Sequence, residues 1–373
     1  MVRILFVLIC IGSLAASAQA RVILSDTSAG QAFEVEEVAT GLNVPWGMAF
    51  VNERALLITQ RSGGAVRLNL DTGERRPVQG LPDVAARGQG GLLDVATGPD
   101  YPDTGWLYFT YSKATPDGAV TTLARAKLSD TRLTDWTDLL VTRSASGTGR
   151  HFGSRIAFDQ AGHVFFGVGD RGNRPNGQDL TTHAGALMRL NLDGSIPGDN
   201  PFVDRENALP EIWSYGHRNP QGLAYDPATN RLWEIEHGPR GGDEINLIEK
   251  GANYGWPVVS HGKEYYGPVD VGEATSKPGM ADPVKVYIPS IAPGSLVHYR
   301  GEAFPEWRGN LLAGALVLTH LNRVVLNEAG EAVGEERLLE SLGERIRDVA
   351  VDPEGRLYLT TDSGRLLRLQ PAD

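Results

Sequence analysis

The sequence predicts an all-β chain folded as a six-bladed β-propeller with long inter-blade loops at an active-site mouth. Three observations carry this. The 373 residues include 45 Gly and 22 Pro with few stretches of helical periodicity, the signature of many short strands joined by tight turns. A loose unit recurs six times, beginning at Val44, Gln89, His151, His217, Ile291 and Arg345. Each unit has a small or polar opening, an apolar strand, a turn resembling D-P-x-G, a second strand, and usually a third ending in Arg-Leu. One such unit cannot bury both faces of its sheet, so the units must pack around a ring.

Taken in order, residues 1–20 stand outside that ring. Arg3 gives a positive start, residues 4–11 form a short apolar run, and Ala18-Gln19-Ala20 is a small-x-small cleavage pattern, so residues 1–20 read as a cleaved signal peptide and 21–373 as a single propeller. Cys10, the only cysteine, lies inside the signal. The mature chain therefore offers no thiol nucleophile, zinc-thiolate site or iron–sulfur cluster. An exported chain of this size without disulfides points to a periplasmic or secreted location in a bacterium.

Residues 33–40 (FEVEEVAT) precede the first unit and are expected to add the outer strand of the last blade, closing the ring and removing a sheet edge. The first to fourth units read VPWGMAFVNERALLITQRSGG, QGGLLDVATGPDYPDTGWLYFTYS, HFGSRIAFDQAGHVFFGVGDRG and HRNPQGLAYDPATNRLWEIEHGP. The fifth is poorer, around IAPGSLVHY and NLLAGALVLTHLNRVVL, and the sixth, RIRDVAVDPEGRLYLTTDSGRLLRL, is very clear. Two segments, 173–210 and 258–283, exceed what a connection needs and are expected between blades as binding loops. A seventh blade arises only if 257–289 hides one.

The formal charge of −11, with no dense basic stretch, opposes nucleic-acid binding. No apolar segment after residue 20 is long enough to span a membrane. EF-hand, H-E-x-x-H and G-x-S-x-G patterns are missing, and the Gly-rich GVGDRGN has no following helix to make it a phosphate loop.

In a propeller the first strand of each blade lines the channel, and the segments leading into those strands form one mouth. Aligned repeats place Gln89, His151, His217-Arg218-Asn219, Ile291 and Arg345 at equivalent lead-ins. A single His there is more often a structural hydrogen-bonding group than a catalyst. His151, however, shares its repeat with Asp170, which ends the second strand and can return to orient the imidazole as a general base. Arg218 can stabilise an oxyanion. Gly238-Pro239, followed by Asp243 and Glu244, suits a hard cation, since Ca²⁺ takes backbone carbonyls readily, although a turn with solvated acids is the commoner meaning of such a stretch. Proton abstraction from a hydroxyl is the chemistry indicated.

GLNVPWGMAF, GQGGLLDVA, HFGSRIAF, GVGDRGN, EIWSYGHRNPQGLAYDP, EHGPRGGDEINLI, GANYGWPVVS, PSIAPGS and RIRDV, in this order, resemble the soluble quinoprotein aldose (glucose-type) sugar dehydrogenases over almost the whole mature chain. Such enzymes use pyrroloquinoline quinone (PQQ) and Ca²⁺ on a six-bladed propeller. The resemblance implies that His151 deprotonates the anomeric hydroxyl of an aldose while C1 delivers hydride to the quinone, forming a lactone. It implies further that Asp170 orients His151, Gln89 contacts the sugar, and Arg218 with Asn219 lies against the quinone oxygens. Gly238 and Pro239 would offer carbonyls to the catalytic Ca²⁺, while Ser290, Arg345 and Arg347 would bind the cofactor's carboxylates. Glu244 and the Tyr254 backbone would hold a second, structural Ca²⁺. The physical case runs alongside: hydride acceptance needs an electron sink that no side chain provides, and a tricarboxylate on an acidic protein needs local cations.

The chain departs from the family pattern at Val317, where glucose-oxidising members place a Lys, at Arg150, where some carry an acid, and at Tyr287-Ile288, where a channel-side aromatic is reduced. Two readings from other classes compete: a Ca²⁺-dependent lactonase or esterase on a similar propeller, and a non-catalytic propeller binding glycans or proteins. The electron acceptor, expected in the periplasm, is not legible.

Overall fold

The computed structural model describes residues 21–372, and the signal peptide read over residues 1–20, with Cys10, lies outside the described residues. Six antiparallel sheets form the blades of the propeller. The first blade runs Pro45–Asn52, Ala55–Gln60, Ala65–Asn69 and Arg75–Pro77, and the second Leu92–Thr97, Trp106–Thr115, Gly118–Ser129 and Arg132–Val141. The third consists of Ile156–Phe158, His163–Val168, Ala186–Asn191 and Ile212–Tyr215. The fourth contains Pro220–Asp226, Arg231–Glu236, Asp243–Ile248 and Lys285–Tyr287. The fifth contains Val297–His298, Leu311–Gly314, Leu321–Leu326 and Ala332–Leu338. Its two-residue inner strand explains why its repeat is the faintest.

The sixth blade closes the ring. Its own strands Ile346–Val351, Leu357–Thr361 and Leu366–Pro371 are completed by Gln31–Ala39, with Val35 opposite Leu369 and Phe33 opposite Pro371. Arg21–Ser28 then adds a fifth strand that the repeat pattern did not indicate. Phe33 packs edge-on against Trp307 of the fifth blade, ring centroids 5.9 Å apart, so the N-terminal strand is held by side chains as well as by its ladder.

Second strands such as Ala55–Gln60 and Leu357–Thr361 are buried on both faces, because each sheet is covered by a neighbouring blade on either side. That is why they read as unbroken apolar runs, while the outermost Arg132–Val141 buries Leu133 alone and leaves its other positions exposed or part-buried. The long segment 258–283, expected between blades, instead runs inside the fourth, between its third strand and its outer strand Lys285–Tyr287. It adds no seventh blade. Residues 173–210 likewise lie within the third blade, interrupted by the strand Ala186–Asn191. In both places the hydrophobic pattern resumes so briefly after the insertion that the outer strand leaves little trace.

One side chain ties all six blades together. Arg155, from HFGSRIAF in the third blade, is buried on the channel axis. Its Nη1 donates to Asp94 of the second blade at 2.9 Å and lies 2.9 Å from Asp348 of the sixth. Nη2 donates to the carbonyls of Trp46, Gly294 and Arg347, and Nε to those of Gln221 and Gly294, which adds the first, fourth and fifth blades. The guanidinium also stacks 4.1 Å from the Trp46 ring. Burial pushes the Asp348 carboxyl up to about 7 and raises Asp94 as well, against the pull of Arg155. This group plugs the channel and separates the mouth from the opposite end.

Candidate active site

The lead-ins to the first strands bring His151, Arg218 and Gln89 to one mouth. His151 Nδ1 lies 2.6 Å from Asp170 Oδ1, and the His151 backbone N–H donates to Gln89 Oε1 at 2.7 Å. Asp170 accepts a further bond from Gly172 N–H at 2.6 Å and, through Oδ2, from the Trp256 indole N–H at 2.8 Å. Burial raises the Asp170 carboxyl, but the His151 imidazole, the Gly172 amide and the Arg218 charge outweigh it and hold the group below the ordinary carboxylate range. His151 is also held low, by burial first, with Asp170 opposing and Arg218 and Arg150 reinforcing. At neutral pH the pair is therefore carboxylate and neutral imidazole. The single proton between them sits on Nδ1, which leaves the Nε2 lone pair without a hydrogen bond among the described residues, free to accept a proton.

Backbone geometry supports this placement. His151 has φ 58° and Arg171 φ 57°, both in the left-handed region that side chains rarely adopt, as local strain at functional loops does. Gly169 must be glycine: a Cβ there would stand 2.6 Å from the His151 carbonyl and 2.8 Å from that of Arg218. Its bareness lets the two lead-ins close on each other, and the Asp170 N–H donates to the Arg218 carbonyl at 2.8 Å.

Arg218 and Asn219 are fixed from behind by Glu236, whose Oε2 accepts both backbone N–H groups. The Arg218 guanidinium donates to the carbonyls of His237 (3.0 Å) and Gly238 (2.7 Å) and lies 5.3 Å from the Trp256 ring. The Asn219 carbonyl oxygen accepts from Gly153 and Gln221 at 3.3 Å each, so its amide faces His237 Nδ1. His237 Nε2 lies 2.6 Å from the Pro293 carbonyl, and burial drives its pKa down to about 3, so this imidazole is neutral.

A cavity of about 330 Å³ is walled by Gln89, Phe152, Gly153 and His237 together with Arg61, Arg345 and Arg347. His151, Arg218, Asn219 and Ser290 are not in its walls, and His151 adjoins it through Phe152 and its bond to Gln89. Arg345 and Arg347 share one carboxylate, Asp362, through contacts of 2.9 to 3.0 Å. Arg61 has no acidic partner among the described residues. Three guanidinium groups against one carboxylate give this pocket a positive lining in an acidic protein. A cleft of about 500 Å³ beside Asp226 and Arg300 is larger, but its Arg300, Arg308 and Asp226 charges are already paired.

The Gly238-Pro239 turn is set by Asp243, which accepts from Gly238 N–H (2.9 Å), the Ser290 hydroxyl (2.6 Å) and Ala292 N–H (2.8 Å). Ser290 thus spends its proton on Asp243 rather than pointing it unengaged into the cavity. The Pro239 carbonyl accepts no hydrogen bond among the described residues, whereas that of Gly238 carries Arg218. Glu244 and Tyr254 lie away from the cavity wall. Burial, then Glu236, Asp243 and Asp282, raises Glu244 well above the usual range, and the Tyr254 carbonyl is unpaired among the described residues. Val317 is exposed near Ile291, whose carbonyl accepts its N–H at 3.0 Å.

A family model described as Glucose / Sorbosone dehydrogenase matches residues 42–368. The chain belongs to the glucose/sorbosone dehydrogenase family. It is 42% identical over 347 residues to the aldose sugar dehydrogenase YliI of Escherichia coli, covering 90% of this chain and 92% of that one. Identity to the quinoprotein glucose dehydrogenase B of Acinetobacter calcoaceticus is 28% over 414 residues, 89% and 86% of the two chains. The crystal structure of the soluble E. coli aldose sugar dehydrogenase in the apo form superposes with a TM-score of 0.88 at 39% identity, covering 91% of this chain and 100% of that one. The PQQ-bound aldose sugar dehydrogenase from Streptomyces coelicolor gives 0.76 at 28% identity, with 91% and 98% covered.

In this member of the family the groups that sequence reading missed share a position. First strands run away from the mouth, so antiparallel second strands return to it. Arg61 directly follows Ala55–Gln60, His237 follows Arg231–Glu236, and Asp362 follows Leu357–Thr361. Asp170, found through its chemistry, stands two residues after His163–Val168. Aligning the ends of the second strands, as well as the lead-ins, would have found all three. Trp256 carries no such signal, since its partner Asp170 is 86 residues away.

Proposed function

We propose that this protein is a PQQ- and Ca²⁺-dependent aldose sugar dehydrogenase, oxidising the anomeric hydroxyl of an aldose to a lactone in the periplasm. The observation that carries the reading is the neutral His151, tied through Nδ1 to Asp170, beside a cavity whose cations outnumber its acids. An anionic cofactor suits that cavity. Arg61, Arg345 and Arg347 would face its carboxylates, with Ser290 at the Asp243 end, and Arg218 and Asn219, bonded to the wall residues His237 and Gly153, would face its carbonyl oxygens. The carbonyls of Gly238 and Pro239 would take the catalytic Ca²⁺, and Glu244 with the Tyr254 carbonyl a structural one. When bound, PQQ supplies the electron sink for the hydride leaving C1.

The remaining work belongs to the chain. His151 Nε2 accepts the hydroxyl proton, and the positive charge it gains is offset by Asp170, already a carboxylate. The Gln89 amide nitrogen, left unengaged once Oε1 has accepted from His151, can donate to a sugar hydroxyl. Trp256 and Gly172 hold Asp170 so that the imidazole keeps one tautomer.

The test is reconstitution of purified protein with PQQ and Ca²⁺, followed by dye reduction across a panel of aldoses, alcohols and lactones. Aldose-dependent reduction that requires both additions is expected. Lactone cleavage without PQQ would instead identify a hydrolase, and neither activity a binding protein. Asp243→Asn is expected to raise the Ca²⁺ concentration needed for half-maximal reconstitution about ten-fold or more, because the turn presenting Gly238 and Pro239 loses its anchor. A titration matching the wild type would show that the ion is held elsewhere.

A further inference from the structure

Nine large apolar side chains are exposed among the described residues, and five of them, Tyr265, Tyr266, Val269, Ile288 and Val317, lie on segments around the mouth. Tyr266 is 86% exposed and Ile288 72%, well beyond what a loop side chain packed on its own scaffold shows. They belong to one neighbourhood. Ile288 and Pro289 share a shallow cleft with Pro268, Arg240 and Lys263, and the backbones of Arg240 and Lys263 pair directly. Val317 hydrogen-bonds through its backbone to Ile291, three residues beyond Ile288. The Tyr265 hydroxyl lies 3.4 Å from Arg218 Nη2, so the patch reaches the reacting site. An apolar area of this kind on a soluble surface marks an interaction site.

Its charge setting is equally distinctive. The chain carries −11 overall, and at the patch Lys263 is paired with Asp270, yet Arg240 in the same cleft and Arg87 and Arg150 elsewhere at the mouth are exposed with no acidic partner among the described residues. An apolar centre with cationic groups around it, on an otherwise acidic protein, complements an apolar centre with an acidic rim.

We infer that this face docks the electron acceptor, and that the acceptor is a one-electron carrier protein with an exposed redox centre and an acidic rim. The inference rests on the dehydrogenase reading above. Oxidising one aldose to its lactone breaks the C1–H and O–H bonds and forms the C1=O bond, releasing two electrons and two protons. Two oxidised carriers then each take one electron, and the protons pass to solvent. The Tyr265 contact with Arg218 puts this patch beside the reacting site, where a docked carrier would lie close to it.

The test uses the enzyme loaded with PQQ and Ca²⁺ and reduced by aldose, mixed rapidly with an acidic c-type cytochrome, a basic c-type cytochrome, or the dye dichlorophenolindophenol. The acidic cytochrome is expected to react faster than the basic one, and more slowly as salt rises. Tyr266→Ser with Ile288→Ser is expected to slow cytochrome reduction about ten-fold while dye reduction stays within about two-fold. Calorimetry should show the acidic cytochrome binding the unloaded protein, and binding the double variant several-fold more weakly. Equal slowing of both acceptors, slowing of neither, a preference for the basic cytochrome, or a wild type that reduces dye but neither binds nor reduces the acidic cytochrome would overturn the inference. A wild type that cannot reduce dye at all would refute the underlying dehydrogenase reading instead.

Discussion

His151→Gln is expected to lower kcat/KM for an aldose about 10²- to 10⁴-fold, the range spanned by a positioned general base. Gln fills similar space and can still donate toward Asp170, so the fold and the uptake of PQQ should persist; what disappears is the Nε2 lone pair. The same assignment fixes the pH dependence. Burial, with Arg218 and Arg150, holds His151 below its ordinary 6.5 despite Asp170. A group held low keeps its neutral, proton-accepting form down through pH 6.5, so the wild-type kcat/KM should be flat above neutrality and fall only on the acid side of that value. Initial rates from pH 5 to 8 check it. An acid limb centred at or above neutrality, or a Gln variant within ten-fold of wild type, would show that another group takes the proton.

Arg155→Met is expected to destabilise the protein by about 3–5 kcal/mol, the cost of removing one partner from a buried ionic cluster. Met conserves length and apolar stem but leaves Asp94 and Asp348 facing each other in the channel, and removes the donor from four carbonyls in addition. With no counter-charge, both carboxyls must take up protons to stay buried. Because Asp348 already stands at about 7 in the wild type, both proteins should gain stability as pH falls from 8 to 5, and the variant, whose carboxyls lack the opposing Arg155 charge, should gain more. Urea denaturation at pH 5 and pH 8 measures both effects. A loss below 1 kcal/mol would show that the blades hold together without this tie.

The blades were legible because a propeller repeats its physics: each unit must offer one strand to the channel and bury the next on both faces, so the pattern returned six times. What escaped was whatever lacks a period. The strand Arg21–Ser28 has no counterpart in other blades, and the insertion 258–283 hid the outer strand of its own sheet behind a long loop. At the site, His151 and Arg218 were visible because their chemistry is uncommon at a strand lead-in, and Asp170 because it shares the repeat of His151 and stands just past its second strand. Asp243 and Glu236 were not read as anchors because their work is done on backbone amides, which a sequence does not display. Asp362 drew no notice, although its carboxylate holds Arg345 and Arg347 side by side.

The pairing of Gln31–Ala39 with Leu366–Pro371 bears on how the molecule is made. An N-terminal hairpin, Arg21–Ser28 with Gln31–Ala39, can form early, but its inner edge finds its partner only in the last strand to be synthesised. Until then, five sheets can assemble while the sixth keeps a bare flank. A chain whose last strand is not yet made therefore has no finished circle to lock, and premature release would leave two matching, unsatisfied edges free to find those of other molecules.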